Sequence, residues 1–89
     1  MANWKIRVHK KVARQFNKLP SHVQDVIDCS FKDIQTEGPH PIGWDVKKLE
    51  GETFRLKLTY RYRMVFEVDE HQRLISITYI GHRKDAYRN

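Results

Sequence analysis

The sequence predicts an α+β fold of two layers, in the order strand, helix, helix and then three antiparallel strands (β-α-α-β-β-β). Apolar side chains recur at helical spacing between Lys10 and Ile34, and they alternate with charged ones on either side of that stretch. The length of 89 residues holds one domain, spanning 1–89, whose modest core would gain from a partner that covers apolar surface.

The first strand is read from Trp4, Ile6 and Val8 alternating with Lys5, Arg7 and His9, which gives one dry face and one basic face. Val12, Ala13, Phe16 and Leu19 then fall on one helical stripe, and Pro20 ends that helix at Leu19. Ser21 with Gln24 three residues later reads as a capping box opening a second helix, whose stripe is Val23, Val26, Ile27, Phe31 and Ile34 and whose end is Gly38-Pro39. Residues 39–52, with Pro39, Pro41, Gly43 and Gly51, read as a loop from which Trp44 and Leu49 dip into the core.

Phe54, Leu56 and Leu58 form the dry side of the next strand, and Tyr62, Met64, Phe66 and Val68 that of its neighbour. Both sets reach the same core only if Leu58 opposes Tyr62, because a slip of one residue would turn one set to water. That register makes Thr59, Tyr60 and Arg61 the hairpin loop and sets Lys57 directly across from Arg63, a repulsive pair that suggests an anionic guest. Asp69–Gln72 turns the chain into a last strand, Leu74 to Ile80, broken by Gly81. The wet face of the sheet then carries Lys5, Arg7, Arg55, Lys57 and Arg63, with only Glu67 opposing them.

Lys and Arg outnumber Asp and Glu by 17 to 11, for a net charge of +6. Such a balance favours a polyanionic partner: nucleic acid, an anionic membrane or an acidic protein. Residues 1–8 alternate in character and lack the apolar run of a signal peptide or membrane span, so the expected location is the cytoplasm and no membrane partner is expected. The one cysteine, Cys29, cannot form an internal disulfide and reads as a buried structural thiol beside Phe31. The five histidines show no ligand spacing, so no metal or other cofactor is expected. Nor is there a Gly-rich phosphate loop, a serine nucleophile motif or the aromatic motif of an RNA-recognition sheet.

Cleaving RNA without a metal requires a base for the 2′-hydroxyl, cations for the phosphorane and an acid for the leaving 5′-oxygen. Arg and Lys suit the second part, and Lys, His or Tyr the other two. Arg55, Lys57, Arg63, His82, Arg83 and Tyr87 are of these types and lie on or beside the wet face. Each cation alone reads as solvated surface, but the group exceeds what solubility requires and reads as an anion-binding face. His82 fits either a structural hydrogen bond or catalysis, and Tyr87 either a core cap or a site residue.

The segment Val46-Lys47-Lys48-Leu49-Glu50-Gly51, the runs Phe54-Arg55-Leu56-Lys57-Leu58 and Tyr62-Arg63-Met64-Val65-Phe66, and the ending Ile80-Gly81-His82-Arg83-Lys84-Asp85-Ala86-Tyr87-Arg88 resemble the RelE/ParE superfamily of toxins from type II toxin-antitoxin modules. The resemblance covers nearly the whole chain, with its specific part in the second half. It implies a metal-independent endoribonuclease that cuts mRNA in the ribosomal A site through the RNA 2′-hydroxyl. By the same analogy Arg63 and Arg83 stabilise the phosphorane, Lys57 supports charge or shuttles a proton, and Tyr87 is the base or stacks on a nucleotide.

His82 stands where RelE has a basic residue, and HigB-type relatives use histidine, so His82 is a further acid or base. Lys5, Arg7, Arg55, Arg61 and Lys84 are expected to bind RNA. The implied partners are a cognate antitoxin, the ribosome with its mRNA, and operator DNA reached only through the antitoxin. The alternative within the superfamily is a ParE-like inhibitor of DNA gyrase without nuclease activity.

Overall fold

The structure, a computed structural model, describes residues 3–84. It runs β1 (Lys5–Val8), α1 (Lys10–Phe16), α2 (Ser21–Glu37), β2 (Val46–Glu50), β3 (Thr53–Lys57), β4 (Tyr62–Asp69) and β5 (Leu74–His82). The strands form one sheet in the order β1-β5-β4-β3-β2, antiparallel throughout except that β1 lies parallel to β5. The two helices supply Val12, Val23, Ile27 and Ile34 to a core whose other half is Leu56, Met64, Phe66, Ile75, Ile77 and Ile80 of the sheet. This is the expected two-layer α+β arrangement, with one strand more than the sequence reading supplied.

The added strand is β2, within the stretch read as a loop. Val46 pairs with Leu56 and Lys47 with Arg55, but the segment buries almost nothing. An edge strand of this kind has no dry face and so leaves no alternation to detect. Leu49, expected in the core, is 37% exposed, whereas Trp44 does pack against the core and donates its indole N–H to Asp33 Oδ2 at 2.7 Å.

The helical hairpin differs from expectation in three details. Helix α1 ends at Phe16, and Asn17–Leu19 continue as turns in which Lys18 N–H donates to Gln15 O and Leu19 N–H to Phe16 O. Ser21 does not cap α2; Pro20 holds that position, and Gln24 Nε2 reaches back to Phe16 O and Leu19 O at 2.9 and 3.0 Å. The glutamine thus gives Phe16 O a second donor and Leu19 O a donor, tying the end of α1 and the linker to α2. Cys29 is exposed, because the buried line of α2 runs Val23, Ile27, Ser30 and Ile34 and leaves position 29 on the outer side. Gly38 closes α2 at φ +92°, and a Cβ there would meet Trp4 Nε1 at 2.8 Å.

Strand β5 carries the feature that shapes the rest. Its pairing shifts between Val65↔Tyr79 and Phe66↔Ile77, so Thr78 is an extra residue, a β-bulge. The bulge lets Ile75, Ile77 and Ile80 all enter the core although their spacing is two and then three. Thr78 and Tyr79 are left out of the core, half-buried beside Lys11 and Gln15 of α1, and the Thr78 hydroxyl donates to Val65 O at 3.3 Å. Beyond Tyr79 the strand runs on through Gly81 to His82 instead of breaking at the glycine.

Candidate functional site

The expected hairpin register is the one observed: Lys57 opposes Arg63, and Leu58 and Thr59 both donate backbone N–H to Tyr62 O. Arg63 in turn opposes Gly81, so Lys57, Arg63 and Gly81 form one row across three strands. The missing side chain at Gly81 is filled from Tyr79, whose Oη would lie 2.6 Å from a Cβ built there. That phenol donates to His82 O at 2.9 Å and so fixes the turn out of the sheet.

Arg63 is held by the loop it adjoins. Its Nη1 donates to Thr59 O at 2.7 Å and to Tyr60 O and Tyr62 O at 3.1 Å each. All three contacts converge on one nitrogen that carries two hydrogens, so at least one hydrogen is shared between carbonyls. The Thr59 hydroxyl accepts from the N–H groups of Arg61 and Tyr62 at 3.3 Å each. The loop is therefore pinned from within and from the side.

The end of β5 closes against this loop. Tyr62 pairs with His82, and Arg83 N–H donates to Arg61 O at 2.7 Å. The Arg83 guanidinium lies 4.6 Å from the centre of the Tyr60 ring, a cation–π contact. His82 packs edge-on against Tyr62, with ring centres 6.0 Å apart, and its Nδ1 accepts from Lys84 N–H at 3.2 Å. An imidazole accepting at Nδ1 carries its proton on Nε2 when neutral. Tyr60, Arg61, His82, Arg83 and Lys84 line a cleft of about 210 Å³.

The electrostatic character of this corner follows from what is missing beside it. Among the described residues the one ion pair is Arg55 with Asp45, Nη1 to Oδ1 at 3.4 Å. Arg61, Arg83 and Lys84 line the cleft and Lys57 and Arg63 form the neighbouring row, and none of the five has a carboxylate in salt-bridge range among the described residues, which makes this end of the sheet electropositive. No group of three or more His, Cys, Asp or Glu side chains converges among the described residues.

Of the residues singled out in the sequence, the fold brings Arg61, His82, Arg83 and Lys84 into one cleft; Lys57 and Arg63 pair in the row beside it without lining it, and His82 packs on Tyr62, on the core side of the sheet. The fold places Lys5 and Arg7 elsewhere. They pair with Leu74 and Ser76 at the opposite end of β5, and from Ser76 to His82 is ~20 Å along a strand. Arg7 there lines a cleft of about 580 Å³ with Glu52, Glu67, Asp69 and Glu70, the acidic end of the sheet. Arg55 is 8% exposed and bound to Asp45, so it acts inside the fold rather than on its surface. Tyr87 lies outside the described residues.

Two tyrosines were missed. Tyr60 stands 66% exposed at the tip of the loop, and Tyr79 fills the gap at Gly81. The broken spacing of Ile75, Ile77 and Ile80 was the available signal for Tyr79, and an aromatic flanked by Thr59 and Arg61 in a tight loop was the signal for Tyr60.

Three solved structures resemble this fold over most of the chain. The archaeal RelE-RelB complex from Pyrococcus horikoshii OT3 contains a chain that superposes with a TM-score of 0.81 at 24% identity, covering 93% of this chain and 98% of that one. The YoeB dimer from Staphylococcus aureus gives 0.76 at 16% identity, covering 92% and 99%. The fold is that of RelE-type toxins. A mutant of the E. coli toxin RelE in the free state gives 0.74 at 18% identity, covering 97% of this chain and 88% of that one. No protein-family model matches the sequence, and no curated protein matches it significantly. Among the described residues, no helix is long and apolar enough to cross a membrane.

Proposed function

We propose that this chain is the toxin of a type II toxin-antitoxin module, an endoribonuclease that cuts mRNA in the ribosomal A site without a metal ion. The observation that carries the reading is the cleft of Arg61, His82, Arg83 and Lys84 beside the Lys57–Arg63 row, cationic and without a paired carboxylate among the described residues. The likeness to RelE and YoeB chains supports it.

In the proposed reaction the RNA 2′-oxygen loses its proton to a base and attacks the adjacent phosphorus. The bond to the 5′-oxygen breaks and that oxygen takes up a proton, leaving a 2′,3′-cyclic phosphate and a 5′-hydroxyl. Arg83 and Lys57 would hold the charge that gathers on the phosphorane. Arg63 would do so with the part of its guanidinium not spent on the loop carbonyls. His82 presents Nε2, the ring nitrogen not engaged with Lys84 N–H, and as an imidazolium it would give the proton that the leaving oxygen takes up. The family resemblance offers Tyr87, outside the described residues, as either the base or the stacking partner of a nucleotide, and His82 as the other candidate base.

The proposed partner is a cognate antitoxin, through which operator DNA would be reached, and the proposed location is the cytoplasm. A mostly apolar groove of about 360 Å³ between the helices and the sheet, lined by Val8, Ala13, Phe16, Phe31 and Ile80 with Asn17 and Asp28, suits the apolar face of a partner segment. The P. horikoshii chain was solved with RelB.

One observation favours the second reading, a gyrase inhibitor. Arg55 is spent on Asp45 and Arg63 partly on carbonyls, which leaves fewer cations for a phosphorane. Induced expression in growing cells separates the two. Amino-acid incorporation falling before any DNA-damage response supports the nuclease; a damage response that comes first overturns it.

A further inference from the structure

The mechanism above makes no use of Tyr60, yet it is the most exposed aromatic side chain among the described residues, at the centre of the cationic corner. Solvent exposure of a large ring is ordinary when the ring is isolated. This one is not isolated. Its backbone is fixed by Arg63 Nη1 on Tyr60 O at 3.1 Å and on Thr59 O at 2.7 Å, so the ring stands on a braced loop. Arg83 lies over the ring at 4.6 Å, and Arg61 and Lys84 line the same cleft.

An aromatic ring presented beside guanidinium and ammonium groups is the combination that proteins use for single-stranded nucleic acid: the cations track phosphates while the ring takes a base on its face. Tyr60 is not among the side chains packed against the core, and its ring contact is the Arg83 guanidinium. We propose that Tyr60 is a stacking platform for an unpaired nucleobase next to the phosphate held by Arg83, and thereby a specificity-determining residue of the site. This rests on the RNA-cleaving reading. Because every base has a π-face, Tyr60 would select for a single, unstacked nucleotide more than for one base identity. The loop holds it at a fixed step from the Lys57–Arg63 row, so it would set which phosphate enters.

Tyr60 also positions Arg83, so a plain loss of activity on truncation would not separate stacking from positioning. The test therefore uses a fluorescein-labelled single-stranded RNA, 2′-O-methylated so that it cannot be cut. It is presented free and in the A site of programmed ribosomes, as an intact strand and as strands with one abasic nucleotide. Wild type, Tyr60→Phe and Tyr60→Ala are compared by anisotropy. The expected result is that Tyr60→Phe binds as wild type while Tyr60→Ala loses about tenfold on the intact strand, the range for one stacked base. On the strand whose abasic site falls at the platform, the Tyr60→Ala penalty disappears. An equal loss on intact and abasic strands, or no loss at all, overturns the stacking role. If wild type binds neither free nor ribosome-held RNA, the nuclease reading itself fails, a result distinct from either.

Discussion

Replacing Gly81 by alanine tests how the site corner is built. The added Cβ would sit 2.6 Å from Tyr79 Oη and 2.9 Å from Cζ, both closer than carbon atoms tolerate, so the phenol must swing away. Its hydrogen bond to His82 O is then lost, at about 1 kcal/mol, and repacking around the displaced ring costs about 1–3 kcal/mol. Alanine returns about 0.4–1 kcal/mol by restricting the unfolded chain. The net expectation is a destabilisation of about 1–4 kcal/mol, read from urea unfolding at unchanged slope.

A double-mutant cycle isolates the cause. In a Tyr79→Ala background the clashing atoms are gone, so Gly81→Ala should cost less than in wild type by about 1 kcal/mol or more. Equal costs in both backgrounds would show that Tyr79 does not fill the space at Gly81, and the account of how His82 and Arg83 are placed would be wrong.

Three further outcomes follow from single contacts. Arg55→Met should leave folding free energy within about 1 kcal/mol of wild type by denaturant titration, because a buried ion pair gains little over a well-packed apolar chain and Asp45 stays solvated. Gln24→Ala should cost about 1–2 kcal/mol in the same assay, since its amide bonds both Phe16 O and Leu19 O. Arg83→Ala should flatten the dependence of RNA or ribosome binding on log salt by about one unit of slope, while circular dichroism and the unfolding midpoint stay close to wild type.

The layers, the helical hairpin and the Lys57–Arg63 register were legible in the sequence because each rests on a hydrophobic period that only one arrangement buries. Strand β2 was not, since Lys47, Lys48 and Leu49 lie at an edge where burial imposes no pattern. Gln24 was read as part of a capping box because that motif is local, whereas its actual bonds cross from one helix to the other. Of the candidate site, the cation types were legible but their grouping was not. Arg7 and Arg63 share a face of the sheet, and only the strand order shows that one stands among carboxylates and the other beside Arg83's loop. Nor can alternation reveal that Arg55 turns into a pair with Asp45, a contact made between β3 and the segment preceding β2.

The central claim is that the corner formed by Lys57, Arg63, His82 and Arg83 cuts mRNA. Its most direct measurement is primer extension on a defined mRNA in a purified translation system, with wild type beside a Lys57→Ala, Arg83→Ala double variant. That variant leaves Arg63 in place to brace the loop. The account predicts discrete breaks inside translated codons that require ribosomes and vanish with the folded double variant. Intact mRNA with wild-type protein that still arrests growth, or breaks undiminished in the variant, would contradict it.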